Sequence, residues 1–179
     1  METIYINGFC GVGKTMISKL LSSRKELLNL DVNESVEKLA NKKIVDIFQT
    51  DGETHFKKLE KEVIKKQVKQ GMIVSLNAKT VNDEENLEII KRTGRVIYLK
   101  AKPETIYNNI KEEYYLTPYF NNDFSVFTIE KQLNELESSY NYAMNYTIDV
   151  DNKTINDVFK ETLAVYNYIN KVKCHIFIK

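Results

Sequence analysis

Residues 3–15 read TIYINGFCGVGKT, and this stretch decides the fold. Residues 3–7 are β-branched or aromatic at most positions, which favours a β-strand. The segment 15–28 places four apolar residues at helical spacing, namely Met16, Ile17, Leu20 and Leu21. The stretch therefore predicts a strand, a glycine-rich loop and a helix in immediate succession.

The loop from Gly8 to Thr15 matches the pattern G-x-x-x-x-G-K-[ST] in full, with the flanking strand and helix that the pattern requires. Its glycines allow backbone N–H groups to converge, together with the helix N-terminus, on phosphate oxygens. We therefore predict an ATP site whose lysine bridges the β- and γ-phosphates. A glycine-rich turn that only opens a helix is the alternative. The predicted nucleotide-binding residues are Gly8, Cys10, Gly11, Val12, Gly13, Lys14, Thr15 and Met16.

Two residues near this loop are candidate ligands for Mg²⁺. The hydroxyl of Thr15 is a suitable oxygen ligand, because Mg²⁺ prefers oxygen and keeps most of its waters. Asp31 follows an apolar segment, 27–30, that predicts the second strand. We predict that Asp31 supports the metal and forms the catalytic pair with Lys14. The alternative is that Asp31 only caps the helix that begins after it.

Strands and helices alternate along the rest of the chain. Apolar runs at 72–76 and 95–99 predict buried parallel strands, and residues 146–150 predict a last strand. Helices are predicted at 34–40, 44–48, 53–70, 83–92, 103–113, 129–142 and 155–172. We therefore predict an α/β protein of the three-layer P-loop kinase type, with a central parallel sheet, helices on both faces, and one domain spanning 1–179.

The amino-acid composition argues against some classes of binding partner. Lys and Arg number 26 against 25 Asp and Glu, so the net charge of +1 creates no field for nucleic acid or an anionic membrane. The first eight residues lack a basic leader, and no segment approaches roughly 20 apolar residues. We expect a cytoplasmic monomer. Cys10 and Cys174 fit neither a disulfide framework nor a zinc site, so we expect reduced thiols, with Cys10 in a packing role.

Several motifs in the same order resemble the shikimate kinase family over residues 4–169. Residues 6–15 are similar to its phosphate loop, and 31–37 (DVNESVE) to its D-x-D-x-x-I-E segment. Residues 47–60 (IFQTDGETHFKKLE) resemble its I-F-x-x-x-G-E-x-x-F-R-x-x-E run. The resemblance implies an ATP- and Mg²⁺-dependent kinase that releases ADP. Its small hydroxyl-bearing acceptor would bind near residues 31–60, under a mobile lid at about 114–125.

The chain departs from the family at the acceptor site. The resemblance implies an aspartate for the substrate hydroxyl, two arginines for the carboxylate and a lid arginine for the transferred group. Three consecutive family glycines are also missing from the segment 74–79, where Lys79 adds a charge. We predict Asn33, Lys57 and Lys79 as acceptor-binding residues, with a solvated surface as the alternative for both lysines. The four changed positions are Asn33, Lys57, Thr117 and Leu136.

Three hypotheses follow from these patterns. The first is an active kinase for a small hydroxyl-bearing acceptor, which need not be shikimate. The alternative is a non-catalytic nucleotide-binding relative that acts as a sensor or protein partner. The third is phosphorylation of shikimate itself by a strongly diverged site. Glu34, next to Asn33, is a further candidate base. Four aromatic side chains in the lid suggest either a stacked or apolar acceptor or a loop that only packs shut: Tyr114, Tyr115, Tyr119 and Phe120.

Overall fold

A single parallel sheet forms the centre of the molecule. The computed structural model describes residues 2–120 and 123–176, with side chains as far as residue 171, so the prediction for the Cys174 thiol lies outside them. The strands are β1 (Thr3–Asn7), β2 (Asn29–Asp31), β3 (Ile73–Ser75), β4 (Gly94–Lys100) and β5 (Tyr146–Asp149). They pair in parallel in the order β2-β3-β1-β4-β5. The predicted α/β fold is confirmed.

Helices cover the sheet. All five residues of β1 are buried, which requires cover on both of its faces. In the described part of the chain, no helix has the length and hydropathy needed to cross a membrane. The helices are α1 (Lys14–Lys25), α2 (Val32–Ala40), α3 (Ile44–Thr50), α4 (Glu53–Gln67), α5 (Glu84–Thr93), α6 (Pro103–Ile110), α7 (Val126–Ala143) and α8 (Ile155–Ile176).

Some predicted helix ends were wrong by three residues. α1 ends at Lys25 because Glu26 adopts a left-handed conformation, with φ of 54°, and its N–H bonds back to the last turn. α4 ends at Gln67 because Val68 is already extended, before the glycine predicted to stop it. The apolar spacing continues past both ends, so periodicity alone extends the helices too far.

Part of the predicted mobile lid is packed. Residues Tyr114–Leu116 form a 3₁₀ turn, and the Tyr114 ring stacks on Phe124 at 4.6 Å between centroids. Phe120 is 2% exposed and lies edge-on to Phe9 of the phosphate loop, at 6.3 Å. Residues 121–122 lie outside the description. The aromatic side chains of the described lid residues therefore pack on one another and, through Phe120, on the phosphate loop.

One buried hydrogen bond ties α7 to the loop after β3. The hydroxyl of Tyr140 donates to the carbonyl of Ala78 at 2.7 Å, and Tyr140 is 1% exposed. That loop continues into the 3₁₀ turn Thr80–Asn82, which packs against α7. The bond therefore fixes the distance between two elements that flank the candidate site.

Replacing Tyr140 by Phe leaves the Ala78 carbonyl without its donor. We expect the free energy of unfolding to fall by about 1–3 kcal/mol, the cost of an unsatisfied buried polar group. Urea denaturation measures the change. Tyr142→Phe is the matched control, because Tyr142 lies on the same helix and is largely exposed. Equal losses in the two variants would contradict a role for this bond.

Candidate active site

The loop from Gly8 to Thr15 joins the end of β1 to the start of α1. Gly8 has φ of 145°, and a Cβ there would lie 2.6 Å from the carbonyl oxygen of Leu99, so only glycine fits. Gly13 precedes α1 in a left-handed conformation, with φ of 88°. None of the described side chains caps α1, and its first turn carries no acid. Its N–H groups and positive end are therefore available to an anion.

Lys14 folds back over this loop. Its Nζ donates to the carbonyl of Phe9 at 2.7 Å. Burial lowers the pKa of Lys14 to about 8, although the nearby Cys10 and Asp31 partly oppose the shift. Phosphate oxygens near this amine would favour its charged form and raise the pKa again.

Asp31 caps a helix and also contacts the phosphate loop. One carboxylate oxygen accepts the N–H of Glu34 at 3.1 Å and so caps α2. The other oxygen accepts the hydroxyl of Thr15 at 2.7 Å. Capping and contact with the phosphate loop therefore use different oxygens of one side chain. The described residues contain no group of three or more His, Cys, Asp or Glu that would hold a metal without further ligands.

The other predicted nucleotide-binding residues differ in exposure. The side chain of Val12 is buried in the core. Met16, on the first turn of α1, is 55% exposed. Burial raises the pKa of the Cys10 thiol to about 12, which keeps it protonated at neutral pH and agrees with a packing role.

Two further elements approach the loop from outside it. Asn109 on α6 donates to the carbonyl of Gly11 at 2.9 Å. Ile155 begins α8, and a Cβ at Gly13 would lie 3.4 Å from its Cδ1. The loop therefore sits between the end of α6 and the start of α8.

A cavity of about 190 Å³ opens under the lid. Its apolar walls come from Phe48, Phe56 and Tyr119, with Leu136 of α7, which is 2% exposed. Sites for drug-sized ligands span about 300–1,000 Å³, so this cavity suits a smaller molecule.

Two lysines contribute to the wall of the cavity, and one of them is paired with an acid of the same wall. Lys57 and Lys79, which the sequence suggests as acceptor-binding residues, both line it. Lys57 pairs with Glu53 at 2.9 Å, and Lys79 lies over the ring of Tyr119 at 4.9 Å. The hydrogen bond from Lys57, and secondarily the charges of both lysines, hold the pKa of Glu53 below its usual value although burial opposes them.

Asn33 does not line the cavity directly but joins a polar chain at its edge. Asn77 donates from Nδ2 to Asn33 Oδ1 at 2.9 Å, and its own Oδ1 accepts the hydroxyl of Tyr119 at 2.6 Å. These two hydrogen bonds therefore link the lid to the residues that follow β3. Glu34 instead pairs with Lys19 at 2.6 Å on the surface of the protein, away from the cavity walls.

Sequence reasoning missed Asn77, Glu60 and Gln132. Asn77 was noted only because it lies in the segment where the family's three glycines are missing, and Gln132 lies in none of the quoted motifs. Glu60 was the last residue of a quoted motif, yet its environment depends on contacts distant in sequence. It is 2% exposed, accepts the hydroxyl of Thr80 at 2.6 Å and lies 3.4 Å from the Nδ2 of Asn86. Burial raises the pKa of the Glu60 carboxyl to about 7.

Comparisons with known proteins agree with the resemblance in the sequence. The family model described as shikimate kinase matches residues 10–167. A shikimate kinase of Caldanaerobacter subterraneus is 34% identical over 93% of this chain and 96% of the relative. A shikimate kinase of Thermoanaerobacter pseudethanolicus is 31% identical over 96% of this chain and 99% of the relative.

Solved structures share the fold. Shikimate kinase from Acinetobacter baumannii in complex with shikimate superposes with a TM-score of 0.88 at 21% identity, covering 94% of both chains. A gluconokinase from Sinorhizobium meliloti superposes with a TM-score of 0.65 at 11% identity, covering 99% of this chain and 98% of the other.

The buried Glu60 makes stability depend on pH. Its folded pKa of about 7 exceeds the ordinary value of 4.5, so the protonated form favours folding below pH 4.5 and this contribution is lost as pH rises towards 7. The loss is at most about 3 kcal/mol, at 1.36 kcal/mol per pKa unit. Glu60→Gln removes the titration, and its remaining oxygen can still accept the hydroxyl of Thr80. The Asn86 amide must flip so that its Oδ1, which has no partner among the described residues, accepts from the new Nε2.

We therefore expect Glu60→Gln to be more stable than the unmodified protein at pH 8, with the advantage shrinking towards pH 5. Chemical denaturation across this range measures both profiles. Glu62→Gln is the matched control, on the same helix but paired with Lys66 at the surface. A difference between Glu60→Gln and the unmodified protein that stays constant with pH would show that Glu60 does not titrate in this range.

Proposed function

The chain belongs to the shikimate kinase family of small-molecule kinases, and from this premise we propose that it transfers the γ-phosphoryl group of ATP to a hydroxyl group of a small acceptor. One observation carries the proposal: a single lid contacts both the phosphate loop, through Phe120, and the small cavity, through Tyr119. Two compartments under one lid suit a reaction between two bound molecules and exclude water from it.

The phosphate loop supplies the nucleotide half of the site. The N–H groups from Gly8 to Thr15 and the uncapped end of α1 hold the phosphates, and Lys14 moves from the Phe9 carbonyl to the β- and γ-phosphates. Residues 151–156, which lead into α8, lie on the adenine side. The acceptor oxygen forms the new P–O bond, the bond between the γ-phosphorus and its bridging oxygen breaks, ADP leaves, and the hydroxyl proton passes to water.

Thr15 and Asp31 fit a Mg²⁺ ion bound to the phosphates. Their side-chain oxygens lie 2.7 Å apart beside the loop, and Mg²⁺ takes one or two protein oxygens while phosphates and water complete its shell. The bound ion neutralises charge on the β- and γ-phosphate oxygens. Asp31 holds the Thr15 hydroxyl in position, and its second oxygen keeps α2 capped.

Residues 31–60 and the lid at 114–125 supply the acceptor half. We assign Asn33, Lys57 and Lys79 to it: Asn33 through its bond to Asn77, and the lysines through the cavity wall. Thr117, where the resemblance implies a catalytic arginine, donates its hydroxyl to the carbonyl of Tyr114 within the lid. Because arginine fingers contribute on the order of 10³–10⁵ in rate, we expect slow turnover. Shikimate, named by the relatives, is the first acceptor to test.

Lys14→Ala tests the nucleotide half. We expect Mg-ATP to raise the melting temperature of the unmodified protein, and we expect the variant to bind ATP about 10- to 150-fold more weakly, as loss of a charge-assisted bond of about 1.5–3 kcal/mol predicts. Thermal shift and calorimetry measure this, with the exposed Lys38→Ala as control.

A coupled assay for ADP release, run with a panel of small hydroxylated acceptors, then tests transfer of the γ-phosphoryl group. ATP binding without ADP release for any acceptor would favour the non-catalytic alternative. Identical ATP affinities for Lys14→Ala and the unmodified protein would overturn the phosphate site itself.

Asp31→Asn tests the proposed Mg²⁺ site. The variant is suitable because asparagine caps helices as well as aspartate does, so little stability should be lost. We expect the gain in ATP affinity on adding Mg²⁺ to shrink at least tenfold relative to the unmodified protein, since a neutral amide supports the metal poorly. Titrations with Mg²⁺ and with EDTA measure it. Asp46→Asn, on the exposed face of α3, is the control. An unchanged Mg²⁺ dependence would limit Asp31 to its capping role.

A further inference from the structure

Lys79 brings a positive charge to the cavity without a negative partner. Its side chain lines the cavity, and the residue is half-buried. Among the residues that the structure describes, no carboxylate forms an ion pair with its ammonium group. An ammonium that has lost part of its hydration and has no counter-charge is unfavourable, and a bound anion would relieve this cost. The wall of the cavity at Lys79 therefore favours a ligand with a negative group.

Lys57, the other lysine of the wall, already has its counter-charge. It pairs with Glu53 at 2.9 Å, and the two side chains are 51% and 46% exposed. Water screens a pair at this exposure, so its charges act weakly on a third group. An anion that approached Lys57 would also meet the carboxylate of Glu53. Lys57 is therefore the poorer anion site of the two lysines.

The acids of the wall leave the charge of Lys79 uncancelled. Two of them, Glu53 and Asp83, are each paired with a lysine at 2.9 Å. Burial raises the pKa of the Glu60 carboxyl to about 7, so its neutral form is substantially populated at neutral pH. Glu135 is exposed to solvent, where water and salt screen its charge. In the described wall, Lys79 is thus the half-buried cation that remains unpaired.

Asn77 and the lid hold Lys79 in position. The Oδ1 of Asn77 accepts the backbone N–H of Lys79 at 2.9 Å and the hydroxyl of Tyr119 at 2.6 Å. The Nζ of Lys79 lies 4.9 Å from the centre of the Tyr119 ring, whose face attracts a cation. One amide oxygen therefore positions both the lysine and the ring. An ammonium held in this way loses less conformational entropy when it binds a ligand.

We infer that Lys79, rather than Lys57, binds the carboxylate of an acceptor that is a small hydroxylated carboxylic acid. The inference rests on the proposed function and names the charged group by which the same site selects its acceptor. At position 136, where the resemblance implies an arginine, this chain has an apolar residue that is 2% exposed, Leu136. Lys79 supplies a cation to the wall of the same cavity from a different element, the loop after β3.

The direct test compares a charged acceptor with its neutral counterpart. Shikimate carries a carboxylate, and its reduced form carries CH₂OH at the same carbon, so the ring and its hydroxyls are unchanged. With saturating Mg-ATP, we expect Lys79→Met to raise KM for shikimate about tenfold, equivalent to about 1.4 kcal/mol, and to change KM for the alcohol by about twofold or less. An equal rise for both compounds would show that Lys79 only shapes the cavity. An unchanged KM for shikimate would likewise overturn the inference.

Two further variants place the carboxylate at one lysine. Lys57→Met should raise KM for shikimate less than Lys79→Met does, and an equal or larger rise would overturn the assignment to Lys79. Lys58→Met is the matched control, because Lys58 is exposed on α4 and lies outside the cavity wall. Melting temperatures show whether the variants fold, and Lys79→Gln replaces Lys79→Met if methionine is not tolerated.

Binding measurements cover the case of slow chemistry. Calorimetry of shikimate with the protein and a non-hydrolysable ATP analogue gives its Kd without turnover. We expect this Kd to rise about tenfold in Lys79→Met and to stay unchanged in Lys58→Met. Equal Kd values for Lys79→Met and the unmodified protein, or no binding to the unmodified protein, overturn the inference. Binding of shikimate through Lys79 without release of ADP from ATP would instead count against the proposed kinase function alone.

Discussion

The hydrogen bonds that β1 makes to β3 on one side and to β4 on the other constrain the rest of the structure. They place the carboxyl ends of three strands side by side. The phosphate loop leaves from β1, the Asn77 loop from β3, and the Leu99 carbonyl of β4 lies against Gly8. Because parallel strands all point the same way, residues from three distant segments meet at one edge. The positions of the phosphate loop and of the loop that carries Asn77 are consequences of that pairing.

The proposed acceptor half differs in its chemistry from what the resemblance implies. The resemblance implies charged groups where this chain has an asparagine, a threonine and a leucine. Asn33 is instead bonded to Asn77, which is bonded to Tyr119, so neutral groups form a connected chain from β3 to the lid. Such a chain keeps buried polar groups satisfied without the desolvation cost of unpaired charges. Hydrogen bonds between uncharged side chains therefore hold Tyr119 of the lid beside the cavity.

The sequence predicted the strands, the phosphate loop and the family, because those features depend on local periodicity, on glycines at fixed spacing and on contiguous motifs. It also named Lys57 and Lys79, which line the cavity. It could not reveal the hydrogen bond of Gln132 to a lid carbonyl thirteen residues earlier. Nor could it reveal the environment of Glu60, which depends on Thr80 and Asn86 in other elements. Side-chain pairing across elements needs the tertiary structure.

The two adjacent aromatic residues of the lid, Tyr119 and Phe120, have a kinetic consequence. One is hydrogen-bonded at the cavity, and the other packs on Phe9 of the phosphate loop. Because the two residues are adjacent on one backbone, a backbone displacement that moves Tyr119 away from the cavity also moves Phe120 away from the phosphate loop. Under the proposed function, both reactants would pass the same lid, and the rate at which it opens would set an upper limit on turnover.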